Sequence, residues 1–315
     1  MGVALVTGAH GFIGRHLCRA LHASGFTVLG LGHGLWPPRE AAFWGVTHWI
    51  NGEITASNLR SLTLDYAPPD AVFHLAGGSS VATALANPRE DFSRTVATTV
   101  ELLEWMRLEA SQARLIAVSS AAVYGADHAD LISEQALVNP YSSYGYHKYL
   151  MELLCRSYGK NHGIPCVISR LFSVYGSGLR KQLLWDLCSK LDVGISPLLL
   201  GGTGDECRDW IEVADVVNAL LALQPLASPE MPIFNVGTGI GTTVREIAAL
   251  VINAWHGSTE HEAVAFTGDS RPGDPFSLQA DATKLASIGF QQQVSVKDGV
   301  KSYVQWFKSH DRGIA

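Results

Sequence analysis

Two side chains four positions apart, Tyr144 and Lys148, have the types and spacing that acid–base chemistry requires. They lie in Pro-Tyr-Ser-Ser-Tyr-Gly-Tyr-His-Lys at 140–148, where the pattern predicts the start of a helix. Residues four apart on a helix share a face, so the phenol and the ammonium would point into one space. A tyrosine titrates near pH ~10, and a fixed cation beside it favours the phenolate and lowers its pKa. The same spacing arises by chance on surface helices, so its meaning depends on the surrounding segments.

A glycine-rich turn follows the first predicted strand. Thr-Gly-Ala-His-Gly-Phe-Ile-Gly at 7–14 places Gly8, Gly11 and Gly14 between a strand at 3–7 and a helix that runs to about residue 24. Glycine lets the backbone turn tightly and approach a diphosphate, and the helix N-terminus offers N–H groups to phosphate. The turn therefore predicts a dinucleotide site, and the alternative is a plain tight turn between strand and helix.

The first half of the chain alternates short apolar runs with helical patterns. Continuous apolar runs are typical of strands buried on both faces, and helices between them indicate the right-handed crossovers of a parallel sheet. The expected fold class is therefore α/β, a doubly wound parallel sheet (Rossmann) with a smaller C-terminal substrate-binding lobe. The predicted strands are 3–7, 27–31, 71–75, 115–119, 166–170 and 233–236, and the predicted helices after the first are 87–107, 144–161, 183–190 and 210–223.

The texture of the chain changes after Phe172, where glycine and leucine become frequent and the pattern is less regular. We expect a dinucleotide-binding domain over residues 1–172, with later segments near 205–240 returning to it. Residues 173–315 would form mainly the substrate lobe, and residues 257–281, which contain several glycines and prolines, are expected to be a loop.

The composition and net charge of the chain limit the kinds of partner that it can bind. The chain has 315 residues, 47% of them apolar and 17% charged, with a net charge of −6 and no long basic run. These values predict a globular protein and disfavour binding to nucleic acid or to an acidic membrane surface. The sequence has neither a signal-peptide pattern nor a long apolar run, so a cytoplasmic location is expected. Five scattered cysteines favour reduced thiols, and the absence of zinc-like ligand spacing predicts no metal.

Further segments make the sequence resemble the extended short-chain dehydrogenase/reductase superfamily, in its NAD-dependent epimerase/dehydratase branch that modifies nucleotide sugars. The matching segments are the glycine turn, Asn-Gly-Glu-Ile at 51–54, Phe-His-Leu-Ala-Gly at 73–77, Val-Ser-Ser-Ala-Ala-Val-Tyr-Gly at 118–125, Tyr144 with Lys148, Ser-Arg-Leu-Phe-Ser-Val-Tyr-Gly at 169–176, Gly-Thr-Gly-Asp-Glu-Cys-Arg-Asp-Trp at 202–210, Phe-Asn-Val-Gly-Thr-Gly at 234–239 and Arg-Pro-Gly-Asp at 271–274. The resemblance covers nearly the whole chain. It implies a nucleotide-diphosphate sugar as substrate and NAD or NADP as cofactor.

The resemblance implies hydride transfer at a sugar carbon by three residues. Tyr144 would exchange a proton with the sugar hydroxyl or keto oxygen, and Ser120 would hydrogen-bond that oxygen. Lys148 would bind the nicotinamide ribose and lower the pKa of Tyr144. Adjacent strand residues face opposite ways, so only one of Ser119 and Ser120 can serve, and Ser120 is favoured.

The resemblance also implies which residues contact each ligand. Arg208 and Arg271 are candidates for the diphosphate, because guanidinium matches phosphate oxygens; the alternative is salt bridges with Asp209 and Asp274. The expected cofactor contacts are Gly8, Gly11, Phe12, Ile13, Gly14, Gly32, His33, Glu53, Ile54, Leu75, Ala76, Gly77, Ser119, Tyr144, Lys148 and Phe172. The expected substrate contacts are Ser79, Ser80, Ser173, Arg208, Arg271 and Asp274.

The sequence departs from the family pattern in two places that bear on chemistry. Gly32 stands where an NAD-specific site usually has a carboxylate for the ribose, so NADP is permitted, with Arg39 as a distant candidate for its phosphate. Ala121 and Ala122 stand where dehydratases of the family carry an Asp-Glu pair. Alanine cannot move a proton, so 4,6-dehydration is disfavoured.

Two further departures shorten polar side chains. Thr95 and Ser173 each stand where the family usually has asparagine. Both keep a polar group with a shorter reach, which puts the usual substrate hydrogen bonds in doubt.

Two activities at C4 of the sugar remain. A 4-keto-sugar reductase must exchange its cofactor, and the missing carboxylate at Gly32 slightly favours it. A 4-epimerase of the UDP-glucose/galactose type would retain NAD, oxidise C4 and reduce it from the other face. A non-catalytic NAD(P)-binding sensor is disfavoured because Tyr144 and Lys148 are both present. By the resemblance, helices 87–107 and 144–161 would pair with their copies in a homodimer, although their apolar faces could equally pack on the sheet.

Overall fold

The computed structural model describes residues 2–126, 128, 130–257, 264–269 and 275–310 of the chain. The chain divides into two units, which are described separately below. The first unit comprises residues 1–125, 134–171 and 217–235. The second comprises residues 126–133, 172–216 and 236–315.

The described elements, up to residue 171, are β1 (Val3–Thr7), α1 (Phe12–Ala23), β2 (Thr27–Gly32), α2 (Pro38–Phe43), β3 (His48–Asn51), α3 (Ala56–Thr63), β4 (Ala71–His74), α4 (Val81–Ala86), α5 (Pro88–Phe92), a π-helical turn (Ser93–Ala97), α6 (Thr98–Glu109), β5 (Arg114–Ser120), a 3₁₀ turn (Ala121–Val123), α7 (Ser143–His162) and β6 (Cys166–Leu171). The later elements are β7 (Ser173–Tyr175), α8 (Gln182–Asp192), β8 (Leu198–Leu200), β9 (Cys207–Glu212), α9 (Val213–Leu223), a 3₁₀ turn (Gln224–Leu226), β10 (Ile233–Val236), β11 (Gly241–Thr243), α10 (Val244–His256), β12 (Val264–Phe266), β13 (Ser277–Leu278), α11 (Thr283–Ser287) and α12 (Val296–His310).

A seven-stranded sheet in the order β10-β6-β5-β4-β1-β2-β3 forms the centre of the fold. The neighbouring pairs from β3 across to β6 run parallel. Every residue of β1, β4 and β6 is buried. Sheets covered on both faces by helices require such continuously apolar strands. The prediction of a doubly wound Rossmann-type α/β fold is confirmed.

The ends of the helices follow from local sequence. Ser142 caps α7, since its hydroxyl accepts the N–H of Gly145 at 3.2 Å. Gly163 ends the same helix in the left-handed conformation, with φ of 71°, which glycine adopts without steric cost. This 20-residue helix carries both residues of the Tyr144/Lys148 pair.

A buried ion pair joins α7 to β6 inside the first unit. Arg170 donates from Nε and Nη2 to the two oxygens of Glu152, at 3.0 and 2.7 Å. Both side chains are fully buried, and the guanidinium lies 4.7 Å from the ring centroid of Tyr124. A bidentate pair of this kind is the geometry that makes a buried guanidinium tolerable.

The second unit contains a small sheet in which β9 pairs with β7, β11 and β13. Asp209 on β9 is fully buried, and its carboxylate accepts the N–H groups of Thr238, Gly239 and Ala280 at 2.7 to 3.2 Å. These bonds hold together three segments of the second unit that are distant in sequence.

Two element predictions are wrong. The helix predicted to begin at Trp210 begins at Val213, because residues 207–212 form strand β9. Pairing with β7 and β11 overrides the helical pattern there, and the Glu212 carboxylate caps the helix by accepting the N–H of Ala214 at 2.5 Å. The predicted loop over 257–281 contains strands β12 and β13 within its described part.

The helices in the described part of the chain are either too short or too polar to cross a membrane. Among the same residues, no group of three or more histidine, cysteine or acidic side chains is arranged to hold a metal ion.

Substitution of Glu152 by glutamine should lower the free energy of unfolding by roughly 3–5 kcal/mol, because it leaves the Arg170 guanidinium buried without a counterion. Equilibrium urea unfolding measures this change. The matched control is Glu90→Gln, which breaks an exposed ion pair with Arg94 and should cost less than about 1 kcal/mol. Equal effects of the two substitutions would contradict the structural importance of the buried pair.

Candidate active site

The order of the sheet reverses its direction of growth between β1 and β4. In open parallel sheets, ligands bind outside the carboxyl ends of the strands at such a reversal. The chain that leaves β1 is the glycine turn, and the chain that leaves β4 is Leu75-Ala-Gly77. The two lie side by side, because Leu75 donates its N–H to the Thr7 carbonyl at 3.1 Å.

The glycine turn has the shape that a diphosphate needs. Gly8 has φ of 71°, and a Cβ there would lie 2.9 Å from the backbone nitrogen of Ala76. A Cβ on Gly14 would overlap the Gly8 carbonyl, whereas one on Gly11 would approach only the Gly8 carbonyl, at 3.0 Å. The turn is therefore closely packed at Gly8 and Gly14.

The first turn of α1 offers the donors that complete this site. Gly11 caps the helix without a side-chain hydrogen bond, and no acidic residue lies in the first turn. The first-turn N–H groups, which belong to Phe12, Ile13 and Gly14, therefore face no side-chain cap. These groups fit the pyrophosphate of NAD or NADP.

Ser120, Tyr144 and Lys148 come together beyond the carboxyl end of β5. Tyr144 lies close enough to the Ser120 hydroxyl for that group to lower the pKa of its phenol, and the Lys148 ammonium lies 6.0 Å from the centroid of the Tyr144 ring. Lys148 donates to the Val118 carbonyl at 3.0 Å. The ammonium also lies against Gly77, where a Cβ would be 3.2 Å from Nζ.

The two adjacent serines of β5 point to different partners. Ser119 is buried and donates to Glu152 Oε1 at 2.6 Å. Ser120 is partly exposed, and its hydroxyl also accepts the N–H of Ala122 at 3.2 Å. Ser120, whose neighbour is Tyr144, therefore has the placement that a substrate contact requires.

Burial acts on the pKa values of both groups of the pair. It raises the pKa of the Tyr144 phenol above its ordinary value, while the hydrogen bond from Ser120 acts in the opposite direction. Burial lowers the pKa of Lys148 to about 8, against the charges of Asp91 and Glu152, which raise it. Lys148 is thus cationic below about pH 8 and loses its charge above it.

A buried histidine links the two strand ends. His74 Nε2 lies 3.0 Å from Thr99 Oγ1, and this hydroxyl donates to the Thr95 carbonyl at 2.6 Å. Thr99 must therefore accept from His74, which places the proton on Nε2 and leaves Nδ1 to accept from Thr7 Oγ1 at 2.7 Å. Burial, followed by the Lys148 charge, lowers the His74 pKa to about 3, so the ring is neutral at ordinary pH.

Thr95 lies within the π-helical turn, a local irregularity that is frequent at functional sites. Its hydroxyl accepts the N–H of Gly78 at 2.8 Å. A Cβ on Gly77 would be 3.2 Å from the same oxygen. The side chain of Thr95 thus holds the loop that follows β4.

A buried hydrogen-bonded pair lies beside these groups. Asp91 on α5 is buried, and its Oδ2 lies 2.5 Å from Nδ1 of His147 on α7. A Cβ on Gly78 would overlap Asp91 Oδ1. Neither Asp91 nor His147 was among the predicted site residues. The position of His147 inside the Tyr144/Lys148 motif was the feature of the sequence that could have identified it.

A carboxylate from the segment that follows β3 lies near the end of β2. Glu53 Oε2 lies 3.4 Å from His33 Nε2, and both side chains are exposed. The two residues line a cavity of about 350 Å³ together with Glu90, Ser93 and Arg94. Ile54, the next residue, is buried.

The predicted substrate contacts lie in several separate segments of the chain. Ser80 caps α4 by accepting the N–H of Thr83 at 3.2 Å, and Ser79 precedes it. In the second unit, Ser173 begins β7, next to Phe172, which is buried. Arg208 on β9 donates to the carbonyls of Cys207 and Phe276 at 2.8 and 3.2 Å. Arg271 and Asp274 lie outside the described residues.

The chain is similar to known proteins along nearly its whole length. A family model described as the NAD dependent epimerase/dehydratase family matches residues 4–237. The UDP-glucose 4-epimerase of Azospirillum brasilense is 30% identical, over 98% of this chain and 93% of its own. A putative UDP-glucose 4-epimerase of Methanocaldococcus jannaschii is 29% identical, over 98% of this chain and 99% of its own.

Solved structures agree in fold. The UDP-glucuronic acid 4-epimerase of Bacillus cereus, in complex with UDP-glucuronic acid and NAD, superposes with a TM-score of 0.86 at 28% identity, covering 98% of this chain and 99% of that one. The UDP-glucose 4-epimerase of Thermotoga maritima, solved with UDP-glucose, gives the same TM-score at 25% identity, again over 98% and 99% of the two chains.

Proposed function

Since the chain belongs to the NAD dependent epimerase/dehydratase family, we propose that it interconverts UDP-sugars that differ in configuration at C4. The observation that carries the proposal is the placement of the Ser120 hydroxyl next to the Tyr144 phenol, with the Lys148 ammonium beside the Tyr144 ring. Such a set can move one proton at a carbinol oxygen. Ala121 and Ala122 follow Ser120, and neither can act on a second position of the sugar.

The three residues have distinct roles in this proposal. Tyr144 Oη takes the proton of the C4 hydroxyl during oxidation and returns a proton to the C4 oxygen during reduction. Ser120 donates a hydrogen bond to the same oxygen and stabilises the charge that develops there. Lys148, cationic below about pH 8, favours the phenolate form of Tyr144 and binds the nicotinamide ribose.

The glycine turn, Glu53 and Ile54 would hold the cofactor. When bound, NAD supplies the hydride acceptor for C4 and, in its oxidised form, a positive charge that favours the Tyr144 phenolate. The His74 and Thr95 hydrogen bonds keep the strand ends and the Gly77-Gly78 loop in place around this site.

NAD is proposed over NADP because of the Glu53 carboxylate. The sequence showed no carboxylate at Gly32, but Glu53 lies 3.4 Å from His33, the residue that follows Gly32. A carboxylate this near the end of β2 would accept hydrogen bonds from ribose hydroxyls and repel a 2′-phosphate, as an acidic residue at the end of that strand does. The structure of the B. cereus relative is an NAD complex, which agrees with this choice.

The comparisons do not support the 4-keto-sugar reductase that the sequence slightly favours, and they support the 4-epimerase alternative. The reductase preference depended on an open ribose site. Glu53 removes that argument, because a ribose held by a carboxylate suits a cofactor that stays bound through both halves of the reaction.

The purified protein, given UDP-glucose or UDP-glucuronic acid without added cofactor, should bring one of them to equilibrium with its C4 epimer. Anion-exchange chromatography or NMR of the sugar measures this. Tyr144→Phe should lower the rate by roughly 10²-fold or more, the scale of positioned acid–base catalysis, while bound NAD stays the same. The matched control is Tyr146→Phe, an exposed phenol two residues away.

Two results would exclude the proposal. Oxidation of NAD(P)H in proportion to product would identify a reductase. NAD binding without conversion of any nucleotide sugar would identify a non-catalytic sensor.

We also propose that two copies associate through α6 and α7. These helices pack on each other and expose Leu108, Leu150 and Leu153, which are 57%, 40% and 38% accessible. Apolar side chains exposed on neighbouring helices are suited to burial against a second copy.

The double variant Leu150→Glu/Leu153→Glu should shift the protein from dimer to monomer, because association would bury two carboxylates. Sedimentation equilibrium measures the shift. Leu64→Glu, which changes a more exposed leucine after α3, should leave the dimer intact. A monomeric wild type would contradict the proposal.

A further inference from the structure

The position of the Lys148 ammonium disfavours its positive charge. The residue is 3% exposed, and its described hydrogen bond is to a neutral acceptor, the Val118 carbonyl, at 3.0 Å. A buried ammonium is stable as a cation only with a nearby opposite charge, and it otherwise loses its proton. The proposed mechanism requires the cation.

Two buried carboxylates raise the pKa of Lys148, and one of them already has a cationic partner. Glu152 accepts two hydrogen bonds from Arg170 and one from Ser119. Its negative charge is therefore matched by the guanidinium. Asp91 is the other carboxylate.

Asp91 and Lys148 contact neighbouring residues of the loop that follows β4. Its Oδ1 fills the space next to Gly78, and the Lys148 ammonium lies against Gly77. The Asp91 side chain is 5% exposed, and the described partner of its other oxygen is His147 Nδ1 at 2.5 Å. Because a carboxylate only accepts, Nδ1 donates this bond.

We propose that Asp91 is the counterion that keeps Lys148 protonated, and that His147 is a positioning residue that holds the Asp91 carboxylate in place. The inference deepens the proposed function, since Lys148 is one of its three active residues. It concerns the charge of one side chain, and can be tested without sugar or cofactor.

The other titratable groups around this cluster do not replace Asp91. On β4, His74 is neutral because of its low pKa, and on α7 itself Tyr144 is neutral until high pH. Glu90 and Arg94, which flank Asp91 on α5 and the π-helical turn, pair with each other and are exposed. Helix α4 has the sequence Val-Ala-Thr-Ala-Leu-Ala and contributes no charge.

The sign of the effect follows from the charges. Asp91 raises the pKa of Lys148, against burial, which brings it down to about 8. Without the carboxylate, the ammonium should lose its proton at a lower pH. The shift should be about one pH unit or more, as expected for removal of a nearby opposite charge.

The direct test is an NMR titration of protein labelled with ¹³C at the lysine ε-carbon. The Lys148 signal is assigned by its absence in Lys148→Met, and the titration is run without ligand. Wild type should titrate with a midpoint of about 8, and Asp91→Asn should move it down by about one unit. The exposed carboxylate Glu101 supplies the control, because Glu101→Gln should leave the midpoint unchanged.

Two substitutions of His147 test its positioning role. His147→Asn keeps an N–H donor for Asp91 and should preserve the wild-type midpoint. His147→Ala removes the donor and should behave like Asp91→Asn, and the double variant Asp91→Asn/His147→Ala should add nothing further. The His147 variants are measured by the same Lys148 signal, so they provide the test if Asp91→Asn does not fold.

An unchanged Lys148 midpoint in Asp91→Asn, or in His147→Ala if the first variant does not fold, would overturn the inference. A lowered Lys148 midpoint in His147→Asn would overturn only the positioning role of His147. Because no sugar is present, either failure leaves the epimerase proposal intact. An inactive protein with the expected midpoint shift would contradict the epimerase proposal and leave this inference standing.

Discussion

The buried ammonium of Lys148 is the constraint on which the site depends. The carboxyl end of an apolar parallel sheet is a poor place for a charge, because desolvation disfavours the charged form. The fold accepts it by placing carbonyl and carboxylate oxygens around it. Helix α7 brings Lys148 to the Val118 carbonyl at the end of β5, and the loop after β4 closes over the ammonium at Gly77.

The polar side chains inside the first unit form three separate groups that serve this site. The Glu152–Arg170 pair fixes α7 to β6. The neutral His74 joins β1 to α6 through two threonine hydroxyls. The Asp91–His147 pair joins α5 to α7. Each group joins elements of the first unit that surround Tyr144 and Lys148.

The features that the sequence predicted are those encoded locally. The glycine turn, the apolar strands and the Tyr144/Lys148 spacing each lie within one short segment, and the structure places Tyr144 and Lys148 on the same helix. Asp91 and His147 are 56 positions apart and meet where α5 packs against α7. The position of His147 between Tyr144 and Lys148 singles it out, but no pattern in the sequence indicates Asp91 as its partner.

The closeness of Glu53 to His33 could not be predicted from the sequence for a related reason. Strand β3 is short and only partly buried at its first three residues, so it lacks the apolar run that marks the other strands of the sheet. Without β3, the sequence could not place Glu53 beside His33. The argument for an open ribose site, and with it the preference for a reductase, followed from that omission.

The central claim is that the hydride removed from C4 returns to the same sugar, with Tyr144 and Ser120 acting on the same oxygen in both steps. Mass spectrometry and NMR of the product formed from a UDP-sugar deuterated at C4 test this most directly. We expect the C4 epimer to keep the deuterium at C4, because the cofactor stays bound between the two transfers. Loss of the label from C4, or its recovery in released NAD(P)H, would contradict the account.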